Sequence, residues 1–303
     1  MEKINWQSRP ELFTGTVTPM QRMTPGLLDF YSYSDVVVIR AESPSAVTMQ
    51  FKSNTTRLQI AMQFGGAARE IFTTDVFVNN RLTTLNGDGV HDLELGSGEK
   101  DIAIHFPHLV VIKNLEISID ANASLLPRKP AAKLVLCGDS ILQGMTCSTP
   151  SKALGVLTAG ELGMELHNTA VGGAIMQPIP VEEALKLNGA ITIVGFGIND
   201  AAHETPIDLF RERVRQILTL LSQAAGKTFI LTPIPALVPA EANRELYSNI
   251  IREEHRNFPA VNLIEGAGLL TADNDYFVDG LHPNDSGMKI YAGNLTNAIR
   301  QAL

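Results

Sequence analysis

The hydrophobic period changes once along this chain, and that change limits what it can fold into. Up to about residue 122 the apolar residues recur mostly at every second position. Val36–Ile39, Ala46–Phe51, Leu58–Phe64, Val76–Val78, Leu93–Leu95, Asp101–Phe106 and Leu115–Ile119 alternate or form short β-rich runs. Ser43-Pro44, Gly65-Gly66, Asn79-Asn80, Asn86–Gly89 and Gly96–Gly98 separate them with turn chemistry. Short strands at that spacing predict an all-β sandwich, of jelly-roll type, with almost no helix. Ser124–Pro130, with two prolines and two adjacent cations, reads as a linker.

From Lys133 onward strands alternate with helices. Leu134–Cys137, Glu165–Ala170, Ile191–Gly195, Thr228–Leu231 and Asn262–Ile264 are the expected strands. The clearest helix starts at Thr205-Pro206, carries Leu209, Phe210, Val214, Ile217, Leu218 and Leu221 on one apolar face, and ends before Gly226. Such alternation predicts a parallel sheet covered by helices on both faces, with ligands at the carboxyl ends of the strands. The expected domains are residues 1–126, the β-sandwich, and residues 127–303, a flavodoxin-like three-layer α/β/α unit.

Composition removes several classes. A chain of 303 residues with 45% apolar and 18% charged residues suits a globular protein with a sizeable core. A net charge of −8 without a Lys/Arg cluster argues against nucleic acid. No apolar run is long enough to span a membrane, and Met1–Gln7 lacks the apolar core of a signal peptide, so the expected location is cytoplasmic. The two cysteines, Cys137 and Cys147, flank Ser140 and read as buried thiols rather than a disulfide or zinc framework.

Chemistry enters with Gly138-Asp139-Ser140, which follows an apolar strand, and with Asp279-Gly280-Leu281-His282-Pro283 near the other end. A serine hydroxyl needs an imidazole to take its proton and a carboxylate to hold that imidazole. The spacing of Asp279 and His282 lets one turn of chain present both. Asn168–Gly173 and Gly197-Ile198-Asn199-Asp200 each follow a further expected strand. With these four blocks in order, the chain resembles the SGNH hydrolases, also called the GDSL esterase/lipase family, over roughly residues 131–303.

The resemblance implies Ser140 as nucleophile, His282 as base and Asp279 as its orienting acid. It also implies an oxyanion hole built from the Ser140 and Gly173 N–H groups and the Asn199 amide. It further implies esterase chemistry with no cofactor and no metal, and a small-molecule or carbohydrate ester as substrate. A looser likeness is to those members with an N-terminal jelly roll, several of which deacylate carbohydrates. Acyl transfer through the same acyl-enzyme, or carbohydrate binding by a vestigial catalytic domain, are the alternatives.

Other residues divide between function and packing. His203, four residues past Asn199, is a candidate substrate contact. His105 and His108 are expected on opposite faces of a strand, suited to packing or a domain contact rather than a shared metal. His167 reads as structural. Trp6, Phe13, Phe30, Tyr31 and Tyr33 read as core of the first domain rather than as a sugar platform.

Overall fold

The computed structural model describes residues 1–303. Ten strands precede residue 128: β1 (Glu2–Lys3), β2 (Phe13–Thr14), β3 (Thr48–Ser53), β4 (Arg57–Ala67), β5 (Thr73–Val78), β6 (Arg81–Asn86), β7 (Gly89–Glu94), β8 (Lys100–His105), β9 (Val110–Ile119) and β10 (Leu126–Pro127). They form two antiparallel sheets, one ordered β1-β9-β4-β7 and the other β10-β3-β8-β5-β6 with β2 added on β3. Alternate residues such as Leu58, Ile60, Phe51, Ile102, Ile104 and Ile117 point between the sheets and are buried there. This is the sandwich that a period of two requires. Asn79 and Asn80, both at positive φ, make the tight turn that returns β5 into β6. The polar run Arg81–Asn86 gave no period signal, and the turn is what makes it a strand.

The second unit contains β11 (Lys133–Gly138), β12 (Glu165–Asn168), β13 (Ile191–Gly195), β14 (Lys227–Leu231) and β15 (Asn262–Ile264), all parallel, in the order β12-β11-β13-β14-β15. That order is the flavodoxin-like one. Its strands are buried on both faces by two apolar clusters, one on each side of the sheet.

Two expectations of the sequence fail in the first half. Helices α1 (Pro25–Phe30) and α2 (Asp35–Glu42) occur where little helix was expected, and α2 replaces the expected strand Val36–Ile39. Ser34 caps α2 by accepting from Val37 N, Asp35 stands in its first turn, and only Val37 and Ala41 are buried. Capping and one-sided burial therefore outweigh the β preference of a valine run. Both helices pack on the α/β unit: Met23, Leu27, Tyr31, Val37 and Ala41 share a core with Val135, Cys137 and Val171. The early aromatics accordingly split. Trp6 and Phe13 pack in series with Phe106 in the sandwich, Phe30 and Tyr31 join the α/β side, and Tyr33 is exposed.

Smaller departures have local causes. Part of the expected linker, Leu126–Pro127, pairs with Phe51 and Lys52 as an edge strand. Leu209 lies outside the buried face of the helix Ile207–Ser222 and is 39% exposed. His108 is buried and its Nε2 reaches Gly144 O at 3.0 Å across the two units. His105 bonds Thr48 and sets an edge against Phe77. His167 Nε2 meets Arg22 O at 2.6 Å. Cys137 and Cys147 are free and buried. No helix is long and apolar enough to cross a membrane.

Candidate active site

Each candidate group leaves the carboxyl end of a strand or enters from the chain's last loop. Gly138 ends β11 so close to β13 that a Cβ there would stand 2.4 Å from Gly195 O. Only glycine lets the two strand ends meet, and the chain then turns directly into the short helix Ser140–Gln143. Asp139 caps that helix, accepting from Ile141 N at 2.9 Å. Burial pushes the Asp139 carboxyl up to about 7, with the nearby Asp200 acting in the same direction. Ser140 is the first residue of the helix, so its N–H has no partner within it.

The final loop carries the partner groups. Gly280 at φ +79 turns the chain between Asp279 and His282. Val278 N donates to His282 O, and Thr146 Oγ1 donates to Pro283 O, tying this loop to itself and to the loop after the serine helix. His282 Nε2 stands 2.8 Å from Ser140 Oγ, and His282 Nδ1 stands 2.9 Å from Asp279 Oδ2. Asp279 Oδ1 also accepts from the His282 and Leu281 backbone N–H groups, at 2.8 and 3.2 Å. Partial burial alone would raise the Asp279 carboxyl. The His282 and Leu281 donors outweigh it and hold the group below the ordinary carboxylate range. The acid therefore stays ionised near neutrality and faces the ring nitrogen that must keep its proton.

Two further groups share this rim. Gly173 adopts φ +82 and is exposed, and no acceptor of the protein takes its N–H. Asn199 follows Gly197, itself at φ +110, and is 8% exposed. Its Nδ2 donates to Ala174 O at 2.8 Å, which orients the amide and leaves its second hydrogen free. Asp200 accepts from Met176 N at 2.8 Å, so the Gly197–Asp200 block also holds the turn that follows Gly173. His203 lies apart from this set as the exposed C-cap of the helix Ile198–Ala202, and its side chain makes no hydrogen bond.

The turn at Gly172–Gly173 is held mainly by residues whose part was not foreseen. Gln143 Oε1 accepts from Gly172 N at 2.7 Å while its Nε2 donates to Arg40 O. Arg40 Nη1 donates to Gly172 O at 2.8 Å. Arg22 is 1% exposed and donates to the carbonyls of Asn168, Ala170, Ser43 and Arg40. Burial pulls its guanidinium down to about 9. Asn168 spends its amide on Leu142 O and its oxygen on Ala170 N, a structural use. Nothing local marks Gln143, Arg40 or Arg22: each acts on a backbone group distant in sequence.

A hydroxyl, imidazole and carboxylate stand in line on the carboxyl rim of a β12-β11-β13-β14-β15 sheet, the arrangement that can activate a serine as a nucleophile. The model of the GDSL-like lipase/acylhydrolase family matches residues 136–290, just over half of the chain, and the chain belongs to that family. No curated protein matches it by sequence. Among solved structures, a putative GDSL-like lipase from Bacteroides ovatus superposes with TM-score 0.81 at 18% identity, over 97% of this chain and 96% of that one. The salicylyl-acyltransferase SsfX3 from a tetracycline biosynthetic pathway gives 0.78 at 18% identity, over 96% and 94%. A family two carbohydrate esterase from Cellvibrio japonicus gives 0.63 at 17% identity, over 85% and 89%. These likenesses extend through the first half, so the fold they share includes a β unit before the α/β unit.

Proposed function

We propose that the protein is a serine esterase working through an acyl-enzyme, with Ser140 as nucleophile, His282 as general base and acid, and Asp279 as the residue that orients and balances the imidazole. The single observation that carries this reading is the line of contacts from Ser140 Oγ through His282 to Asp279, at 2.8 and 2.9 Å. Ser140 Oγ attacks the ester carbonyl as its proton passes to His282 Nε2. The tetrahedral oxyanion is received by the Ser140 and Gly173 N–H groups and the free hydrogen of Asn199 Nδ2. Collapse breaks the bond to the alcohol, which leaves with the proton held on His282. Water then repeats the sequence on the acyl-enzyme and releases the acid.

In this reading residues 127–303 carry the chemistry and residues 1–126 form the accessory domain. Acetyl and other short acyl groups on carbohydrates are the proposed substrates, supported by the likeness to the Cellvibrio japonicus esterase. The likeness to an acyltransferase over nearly the whole chain favours a second reading, capture of the same acyl-enzyme by an alcohol. The ratio of acetate to acetylated product, with and without added alcohol, separates the two. Ser140→Ala tests the shared premise. It is expected to abolish labelling by a fluorophosphonate and turnover of 4-nitrophenyl acetate, leaving only the roughly 10³ to 10⁴-fold acceleration over water that binding and the oxyanion hole supply. Undiminished labelling of the variant would assign the nucleophile elsewhere.

A further inference from the structure

Two arginines from the first half bracket the candidate site. Arg40 Nη1 spans to Gly172 O and lies 3.0 Å from the place a Cβ on Gly173 would occupy, beside the proposed oxyanion donors. Its Nε is buried without an acceptor. Arg69 stands at the opposite end, Nη2 3.9 Å from Asp279 Oδ2. That contact exceeds hydrogen-bond length, and Asp279 is already engaged by the His282 ring and two backbone donors.

Packing carries both cations to the rim. Gly66, at the end of β4, leaves room for Ile39 of α2, whose Cδ1 would lie 2.7 Å from a Cβ at that position. The chain running on to Arg69 is thereby set beside the residue that precedes Arg40. Burial lowers the Arg40 pKa, and the charge of Arg69 lowers it further. Arg40 makes no ion pair, and Arg69 makes only the long one to Asp279. Like charges held together repel, and in a chain of net charge −8 an acidic partner for either would be easy to supply. Their guanidinium groups at the two ends of the site, neither held in a short ion pair, fit a bound oxyanion group.

We propose that the site takes esters whose acyl or alcohol half carries an anionic group, a carboxylate or a phosphate, seated by Arg40 and Arg69 while the ester carbonyl faces Ser140. The proposal rests on the esterase reading above and specifies its substrate class.

The test compares matched esters on the full chain. 4-Nitrophenyl hydrogen succinate against its methyl ester places the charge on the acyl side. 4-Acetoxybenzoate against its methyl ester, and 4-acetoxyphenyl phosphate against phenyl acetate, place it on the alcohol side. At least one anionic ester is expected to exceed its neutral match in kcat/KM by about tenfold at low ionic strength, the scale of a hydrogen bond to a charged group, and to lose that margin as salt is added. In Arg69→Gln the same ratio should fall close to one, and Arg69→Lys should restore part of it. Arg69 is exposed, so neither change threatens the fold. Turnover of the neutral esters with no anionic preference in any pair, or a preference untouched by Arg69→Gln, overturns the proposal alone. Loss of turnover on every ester, phenyl acetate included, overturns the esterase reading and this inference with it.

Discussion

The loop that presents Ser140 and the turn that presents Gly173 face one site but are held in different ways. The serine loop is supported close to home: Gly138 permits the strand contact, Asp139 caps the helix, and Asp279 and His282 form a compact pair three residues apart. The Gly172–Gly173 turn is held partly from afar, by Gln143 and, across more than a hundred residues of chain, by Arg40 and Arg22. The proposed reacting groups must keep fixed identities, and each is braced by its own neighbours even though Ser140 and His282 meet from opposite ends of the α/β unit. Supporting groups need only reach a carbonyl, and the tertiary fold decides which ones do.

The largest test of that difference removes the distant supports. Residues 127–303 alone lose Met23, Leu27, Tyr31, Val37 and Ala41 from a core they share with β11, and lose the Arg22 and Arg40 clamps as well. Met23, Leu27 and Val37 correspond to about 1.5–3 kcal/mol each, so the deficit approaches the total stability of an ordinary domain. The fragment is expected to lack a cooperative melting transition by circular dichroism. A fragment that melts cooperatively and turns over 4-nitrophenyl acetate like the full chain would show the N-terminal support to be dispensable.

Asn199→Ala probes the rim itself. Folding should persist, and kcat should fall by roughly 10² to 10³ with KM little changed, because the amide is proposed to meet charge that exists only in the transition state. A loss confined to KM would make Asn199 a ground-state contact. Asn168→Ala supplies the contrast, since its bonds to Leu142 and Ala170 are structural and its loss should appear in stability.

The smallest effect concerns the seam between the two units. Burial holds His108 and His167 down at about 4, below their value in an unfolded chain. The unfolded state therefore binds more protons between pH 6.5 and 4. Each histidine contributes stability that is complete above about 6.5 and is lost as pH falls toward 4. His108→Gln should remove one such proton, flattening the acid side of the stability profile by about 1.4 kcal/mol per pH unit in denaturant unfolding. An unchanged slope would mean that burial at the seam does not keep His108 neutral.

Much of this protein was legible because its constraints are local. Strict alternation in segments such as Ile102–Ile104 and apolar strand runs such as Ile191–Gly195 declare burial on one face or on both, and so separate the sandwich from the parallel sheet. The Gly138–Ser140 and Asp279–His282 segments declare themselves because their residue types and spacing suit a nucleophile and its base. Tertiary structure decided the rest. Val36–Ile39 has the composition of a strand and became a helix because Ser34 caps it and the α/β core takes Val37 and Ala41. Arg22, Arg40 and Arg69 look in sequence like any surface cations. Arg22 and Arg40 are drawn to the site because carbonyls at the ends of parallel strands, beyond the last β-ladder bond, still need donors. Arg69 comes to the rim because β4 packs closely against α2 at Gly66, and the chain that leaves β4 passes beside Asp279.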